Sequence, residues 1–227
     1  FPIAAFEEAG YEVAVHGLNQ WNGVAIASRL PMSDVHTSFS GMPGFQKGME
    51  GPDQPLEARA ISALIDDVRV SSLYIPNGRS LDDPHYRYKL DWLGALAEHT
   101  RHELAANPNL AMALTGDFNV APTDVDIYDP VRWRRRTHAS PPERAAVAAF
   151  ADLGLVDVTR VHLPEPAVYT WWSYRPGQFE QNRGLRIDLA LCSPAVADRV
   201  TRVWIDRDER AGAVASDHAP VVLDLRD

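Results

Sequence analysis

The sequence contains a single cysteine, Cys192, among 227 residues. One cysteine excludes an internal disulfide framework and a zinc site built from several thiolates, and it favours a reducing compartment. The sequence also lacks the apolar run of roughly 20 residues that a membrane-spanning helix needs. Residues 1–10 show no basic start followed by an apolar segment. We therefore expect a cytoplasmic protein with no membrane partner and no secretion signal.

Positive charge is scarce relative to negative charge. Lysine and arginine number 22 against 31 aspartates and glutamates, which gives a formal net charge of −9. This balance argues against a protein that coats nucleic acid nonspecifically, because neutralising phosphates requires clustered basic side chains. One such cluster, either a local basic face or a solvated charge run, consists of Arg132, Arg134, Arg135 and Arg136.

The hydrophobic pattern predicts one mixed α/β domain over residues 1–227, without internal repeats or linkers. A helix of several turns should follow the Asp83-Pro84 pair, and a second should span residues 142–153 before Gly154. Mixed strands with few intervening helices favour two packed sheets with helices outside. Short apolar or alternating runs predict strands at residues 23–28, 60–66, 68–75, 110–115, 186–193 and 219–225.

A carboxylate and an amide follow the apolar strand at residues 110–115. The two-residue period of a strand could direct Asp117 and Asn119 to the same side. Oxygen ligands of this kind suit a hard cation such as Mg²⁺, and the amide could hold a phosphate or a water. The competing interpretation is an ordinary turn, since Gly, Asp and Asn are favoured in turns.

A second candidate site lies near the C-terminus, where Asp217 and His218 precede an apolar strand. Asp217 could bind a metal, and a protonated His218 could stabilise charge that grows on a phosphoryl group. A strand-entry turn is the alternative. Asp188 lies in an otherwise apolar run and needs a partner, for which His218 and Arg186 both remain candidates.

Two further segments carry groups that can contact a nucleic acid. Tyr74 and Asn77 end a predicted strand, and both side chains can hydrogen-bond phosphate oxygens, although a Pro-Asn-Gly turn explains the same residues. Residues 169–174 are dense in aromatics beside several arginines, which suits stacking along a phosphate track. We expect at least one of Trp171 and Trp172 to serve the core instead.

Taken in chain order, these segments resemble the exonuclease III family, the bacterial DNA-repair branch of the endonuclease/exonuclease/phosphatase superfamily. The resemblance implies a four-layered α/β sandwich with a metal-dependent phosphodiesterase site at one end of two sheets. It further implies a monomer that uses Mg²⁺, or Mn²⁺, to cut duplex DNA beside abasic sites and to trim it from 3′ ends. The segments are residues 22–26, 57–59, 74–77, 116–119, 169–172, 182–188 and 216–221.

The resemblance also implies catalytic and metal-binding roles. Asp117 would position or deprotonate the attacking water, and Asn119 would orient water or phosphate. His218 would stabilise the transition state, and Asp188 would orient His218. The implied metal ligands are Asp117, Asn119 and Asp217.

Substrate contacts follow from the same match. Tyr74 and Asn77 match positions that contact the scissile phosphate, and Tyr74 could assist the leaving 3′-oxygen. Trp171, Leu185 and Ile187 match the walls of a pocket that receives an extruded abasic sugar. Several family members have Trp where this chain has Leu185, which leaves the balance of endonuclease and exonuclease activities open.

The family pattern contains one feature that the sequence does not show. Family members begin with two further strands, and the second ends in a Gln-Glu-Thr-Lys-like motif whose Glu is a principal metal ligand. Glu7 and Glu8 instead lie in a helix-like stretch before Gly10. We therefore expect the gene product to extend upstream of Phe1 by a strand-helix-strand unit of roughly 30 or more residues, and residues 1–227 to be inactive alone.

Two other functions compete with a DNA repair nuclease. The first is a phosphomonoesterase or phospholipid phosphodiesterase of the same superfamily, because Gly-Asp-x-Asn and Ser-Asp-His recur across it. The aromatic segment and residues 182–188 disfavour that function. The second is a noncatalytic nucleic-acid-binding relative, which the presence of Asp117, Asp188 and His218 disfavours.

Overall fold

The computed structural model describes residues 1–49, 51, 53–212 and 214–226. A 3₁₀ turn spans Asp124–Asp126. The helices are α1 (Ile3–Glu8), α2 (Pro84–Ala106), α3 (Pro130–Trp133), α4 (Pro141–Asp152), α5 (Val158–His162), α6 (Pro194–Ala197) and α7 (Arg207–Arg210). The strands are β1 (Glu12–Asn19), β2 (Asn22–Ser28), β3 (Met32–His36), β4 (Ala60–Ile65), β5 (Val68–Tyr74), β6 (Met112–Asp117), β7 (Val156–Asp157), β8 (Asp188–Cys192), β9 (Val200–Ile205) and β10 (Val221–Leu225).

A six-stranded mixed sheet in the order β3-β4-β5-β6-β8-β7 forms the centre of the molecule. Strands β5 and β6 run parallel, and β8 pairs antiparallel with β6. A parallel pair needs a crossover connection, and α2 provides it. Helix α2 begins where the sequence predicts, because the Asp83 side chain accepts a hydrogen bond from the His85 backbone N–H at 2.8 Å.

Alternating side chains cover both faces of this sheet. On one face, Leu73 and Leu114 pack with Trp92 of α2 and Phe150 of α4. On the other face, the β1–β2 pair and the β9–β10 pair cover different regions of the sheet. The predicted mixed α/β fold with outer helices is confirmed. In the part of the chain that the structure describes, the second β layer consists of two separate two-stranded sheets, because each pair bonds only within itself.

The sequence predicted the buried strands better than the exposed ones. Strands β2, β4 and β5 agree with the prediction within one residue, whereas β6 begins two residues later than predicted and extends through Asp117. Strand β3 was missed because it is an edge strand whose side chains are mostly exposed. None of the described helices is long and apolar enough to cross a bilayer.

Candidate active site

The register of three neighbouring strands places three polar side chains in a row. Tyr74 on β5 pairs with Asp117 on β6, and Asp117 pairs in turn with Asp188 on β8. All three line a groove of ≈ 820 Å³, and His218 lines the same groove. Asp117 and Asp188 end and begin their strands, respectively, so the row lies at one end of the sheet.

Asp188 forms a close ion pair with His218. The imidazole Nδ1 lies 3.0 and 2.8 Å from the two carboxylate oxygens. Burial alone would lower the pKa of His218, but the hydrogen bond and negative charge of Asp188 raise it to about 9. Arg186, the other candidate partner, bonds instead to Asp126 and Asp157. His218 is therefore protonated at neutral pH.

Asp117 carries a perturbed carboxyl group in the same groove. Burial raises its pKa to about 7, the negative charge of Asp188 adds to this shift, and His218 opposes it. The carboxylate accepts hydrogen bonds from the Asn119 backbone N–H at 2.8 Å and from the Asn119 amide at 2.9 Å. The groove therefore holds more negative charge than its own side chains neutralise, which suits a bound cation.

Asn119 reaches Asp117 by a route that differs from the sequence prediction. Strand β6 ends at Asp117, and Asn119 follows in a left-handed conformation with φ of 52°. The strand period therefore does not place Asn119, and the tight turn does. Its side chain donates to the Ile75 carbonyl and accepts from the amide of Asn77, each at 3.0 Å. Asn77 itself is exposed at the surface.

A buried ion pair between Lys89 and Glu143 stabilises the turn at Asn119. The Nζ of Lys89 donates to the Asn119 carbonyl at 2.7 Å and to Glu143 at 2.5 Å, and both charged side chains are fully buried. Burial lowers the pKa of Lys89, and Glu143 opposes the shift. The sequence analysis missed this pair. The Ser140-Pro-Pro-Glu143 capping box was a readable signal for Glu143 only, because it marks a helix start.

His138 makes a second contact with the same carbonyl. Its Nδ1 lies 2.6 Å from the Asn119 oxygen, and its backbone φ is 80°. Burial and the charge of Lys89 lower the pKa of His138 to about 4, so the ring is neutral at pH 7. A neutral ring must donate through Nδ1–H to a carbonyl. Sequence analysis gave His138 no role.

Arg59 contacts Tyr74 at both its backbone and its ring. Its N–H donates to the Arg59 carbonyl at 2.8 Å, and the Arg59 guanidinium lies 4.8 Å from the ring centroid. Arg59 is fixed in turn by Glu57 at 2.7 Å. Burial and the charge of Asp117 raise the pKa of the Tyr74 phenol. Tyr74 is therefore a neutral hydroxyl that can donate a hydrogen bond in the groove.

An apolar cluster adjoins the row of polar residues. Leu185 and Ile187 are buried and pack against the partly buried Trp171 and Trp133. Trp171 has a second contact that sequence analysis missed, because its indole N–H donates to Asp217 at 2.9 Å. The neighbouring Trp172 is fully buried and belongs to the core, as expected for one of the two tryptophans.

The oxygen donors in the groove fit a hard divalent cation. Among the described residues, no three His, Cys, Asp or Glu side chains form a group that could hold a metal ion. Two carboxylates, Asp117 and Asp217, lie close enough to His218 to raise its pKa. Asn119 donates its amide N–H to Asp117, while its amide oxygen accepts a hydrogen bond from Asn77. Mg²⁺ is usually held by one or two carboxylates, with water and substrate phosphate completing its shell.

Comparisons with known proteins identify a family and several similar structures. The sequence profile of the Endonuclease/Exonuclease/phosphatase family matches residues 4–218. The chain is 31% identical over 239 residues to exodeoxyribonuclease III of Haemophilus influenzae, covering 100% of this chain and 85% of that protein. A 3′ phosphatase from Neisseria, solved with a product DNA hairpin, is 40% identical with a TM-score of 0.90, covering 100% and 83% of the two chains.

A third relative extends the likeness to an archaeal enzyme. The structure of an AP endonuclease from Archaeoglobus fulgidus superposes with a TM-score of 0.88 at 32% identity, covering 99% of this chain and 83% of that one. Sequence profile and similar structures thus cover nearly the whole chain, including Asp117, Asp188 and His218. The chain belongs to the endonuclease/exonuclease/phosphatase family.

Proposed function

We propose that this protein is a divalent-metal-dependent DNA nuclease of the exonuclease III type, acting as a monomer on 3′ ends and abasic sites in duplex DNA. The observation that carries the proposal is the row of Tyr74, Asp117 and Asp188, joined by His218, in one groove. Relatives named as exodeoxyribonuclease III, as a DNA-bound 3′ phosphatase and as an AP endonuclease support DNA as the substrate.

Asp117 is suited to activating the attacking water. The Asp117 carboxyl group lines the groove, where it can accept a proton from a water molecule, as a general base must. Asn119 fixes the carboxylate through two hydrogen bonds and so limits the directions from which it can accept a proton. Water then attacks phosphorus in line with the leaving 3′-oxygen.

The cation and His218 stabilise charge on the phosphoryl group. Asp117, Asn119 and Asp217 would hold Mg²⁺ or Mn²⁺, and the bound cation would supply positive charge to the phosphoryl group. His218 is protonated, and its Nδ1–H is engaged by Asp188. The remaining donor is Nε2–H, which can bond a phosphoryl oxygen whose charge grows in the transition state.

Tyr74 and Asn77 can both hydrogen-bond the phosphate of the substrate. The neutral phenol of Tyr74 faces the groove and can donate to the leaving 3′-oxygen or to a phosphate oxygen. The Asn77 amide is already linked to Asn119 at 3.0 Å, so a phosphate bound by Asn77 would lie next to the turn that holds Asp117. Neither group needs to change protonation state to bind.

The apolar cluster supports recognition of an abasic sugar. Of the three residues expected to line the sugar pocket, Leu185 and Ile187 are buried in the cluster, so only the partly exposed Trp171 can present an apolar wall to a sugar without its base. Trp133 joins this cluster. The exposed arginines Arg132, Arg134, Arg135 and Arg136 flank Trp133 in sequence and can contact the DNA backbone there.

A substrate panel tests the proposed function. The protein would be incubated with Mg²⁺, Mn²⁺ or EDTA and with an abasic duplex, a recessed 3′ end, a 3′-phosphorylated duplex, inositol phosphate or sphingomyelin. We expect metal-dependent cleavage of the first two substrates, and His218→Ala to abolish it. Hydrolysis of the lipid or inositol substrate alone would contradict the proposal, as would DNA binding without cleavage of any DNA. Size-exclusion chromatography with light scattering tests the monomer.

A further inference from the structure

Thr170 is a fully buried residue that touches both sides of the Asp188–His218 pair. Its Oγ1 accepts the backbone N–H groups of Ile187 and Asp188, each at 3.1 Å. Its carbonyl accepts the backbone N–H of Ala219 at 2.7 Å. One residue therefore binds the backbone of Asp188 through its side chain and the neighbour of His218 through its main chain.

The hydroxyl replaces a strand partner at the point where β8 begins. Strand β8 starts at Asp188, so the N–H groups of Ile187 and Asp188 lie at its entry and both use Oγ1 as their acceptor. A buried N–H that loses its hydrogen-bond partner destabilises the conformation that buries it. Loss of the hydroxyl should therefore let the backbone at Asp188 shift to find another acceptor.

The segment that carries His218 is held by the same stretch of chain. Trp171 forms an isolated antiparallel bridge with His218, and the Trp172 N–H donates to the Asp217 carbonyl at 2.9 Å. Asp188 comes from the central sheet, and His218 comes from the entry to β10 in the second layer. The Thr170 backbone and hydroxyl are a direct hydrogen-bonded link between these two layers beside the pair.

We propose that Thr170 is a positioning residue for the nuclease reaction, whose hydroxyl and carbonyl together set the contact between the Asp188 carboxylate and the His218 ring. Thr170 does not touch the reacting atoms. It acts through the 2.8 Å hydrogen bond between Asp188 and His218 Nδ1. The kinetic part of this inference rests on the proposed function, whereas the geometric part does not.

Thr159 provides a matched control. It is also fully buried and lies in α5, and its hydroxyl has no hydrogen-bond partner among the described residues. Threonine to valine at either position exchanges a hydroxyl for a methyl group of similar size. Only the change at Thr170 removes an acceptor from two backbone N–H groups.

The kinetic test compares Thr170→Val, Thr170→Ser and Thr159→Val on a recessed 3′ end with Mg²⁺, well below the melting temperature of each variant. We expect Thr170→Val to lower kcat about 10-fold or more with KM changed by less than about 2-fold, because a small misplacement of a catalytic group is costly. Thr170→Ser keeps the acceptor and should remain near wild-type kcat, as should Thr159→Val. Unchanged kcat in Thr170→Val, an equal loss in Thr159→Val, or a failed rescue by serine would overturn the proposal.

A second test measures the geometry of the Asp188–His218 pair by NMR and does not require enzymatic activity. In the metal-free protein, NMR at fixed pH would follow the His218 Nδ1–H signal, assigned by its loss in His218→Ala, and amide exchange at Ile187 and Asp188. We expect Thr170→Val to shift the imidazole signal and speed both exchanges, and Thr159→Val to change neither. If Thr170→Val does not fold, Thr170→Cys, with a weaker acceptor, replaces it. A full-length wild-type gene product that fails to cleave DNA refutes the proposed function, and unchanged NMR signals refute the role of Thr170.

Discussion

At the scale of single residues, Asp188 links the protonation states of its two neighbours. It pairs with Asp117 across the strand register and bonds His218 through both carboxylate oxygens. Its negative charge raises the pKa of both groups, so each holds its proton more tightly in the folded protein. The site is thus prepared to exchange a proton at Asp117 while His218 stays charged.

The raised pKa of His218 predicts how stability depends on pH in the metal-free protein. A group whose pKa is higher in the folded state stabilises fully below its unfolded value, here 6.5, and this contribution is lost as pH rises to about 9. We expect the free energy of unfolding to fall from pH 7 to pH 9, and to fall less in Asp188→Asn. Urea titrations in EDTA measure it, with the exposed Asp91→Asn as control. Identical pH dependence in Asp188→Asn and wild type would contradict the coupling.

Two substitutions of Trp171 distinguish its hydrogen bond to Asp217 from its role as an apolar wall. Trp171→Phe keeps an aromatic wall but removes the indole N–H that bonds Asp217. We expect this variant to need more Mg²⁺ for half-maximal rate on both an abasic duplex and a recessed 3′ end. Trp171→Ala should lose additional activity on the abasic duplex alone, because the wall is gone. Rates on both substrates across a Mg²⁺ titration decide this, and an unchanged Mg²⁺ requirement in Trp171→Phe would dismiss the Asp217 contact.

At the scale of elements, the site depends on the end of β6 and on the turn that follows it. Gly116 adopts φ of 130°, and a Cβ there would meet the Leu73 carbonyl at 2.1 Å. We expect Gly116→Ala to destabilise the fold by about 2 kcal/mol or more. Gly94→Ala, in the exposed middle of α2 with nothing within 4 Å, should instead stabilise by about 0.5–1 kcal/mol. Chemical denaturation of the pair measures both changes, and equal stabilities would contradict the strain at Gly116.

The buried ion pair between α2 and α4 supports the same turn. Lys89→Met leaves Glu143 buried without its partner, and such losses cost about 3–5 kcal/mol. The double variant Lys89→Met with Glu143→Gln should recover part of this stability, because no uncompensated charge remains. Thermal unfolding of the single and double variants tests it. A double variant less stable than Lys89→Met would show that the pair is not the source of the effect.

Sequence patterns predicted the elements that carry the site but not all of its contacts. The apolar strand before Asp117 and the strand that ends at Tyr74 follow from local pattern, whereas their parallel pairing does not. The left-handed turn at Asn119 does not, because the strand period stops at Asp117. The burial of Lys89 could not be predicted from the sequence, because it depends on how α4 packs against α2 and not on neighbouring residues in the chain. His138 was hidden for the same reason.

At the scale of the whole molecule, the site lies between two β layers. Tyr74, Asp117 and Asp188 come from the central sheet, and Asp217 and His218 precede a strand of the second layer. Local pattern could not bring these together, because pairing across layers is not encoded in periodicity; the ordered set of motifs resembling a known family supplied that link. The formal charge of −9 is compatible with a DNA substrate, because arginines are exposed around Trp133.

The central claim is that Asp188 and His218 act as one unit in metal-dependent DNA cleavage. Single-turnover cleavage of a recessed 3′ end with Mg²⁺, measured for wild type, Asp188→Asn, His218→Ala and the double variant, tests it most directly. We expect each single change to lower the rate about 10²-fold or more, and the double variant to lose little beyond the larger single loss, because residues that act as a unit are not additive. Single variants that cleave at the wild-type rate, or losses that multiply in the double variant, would contradict the account.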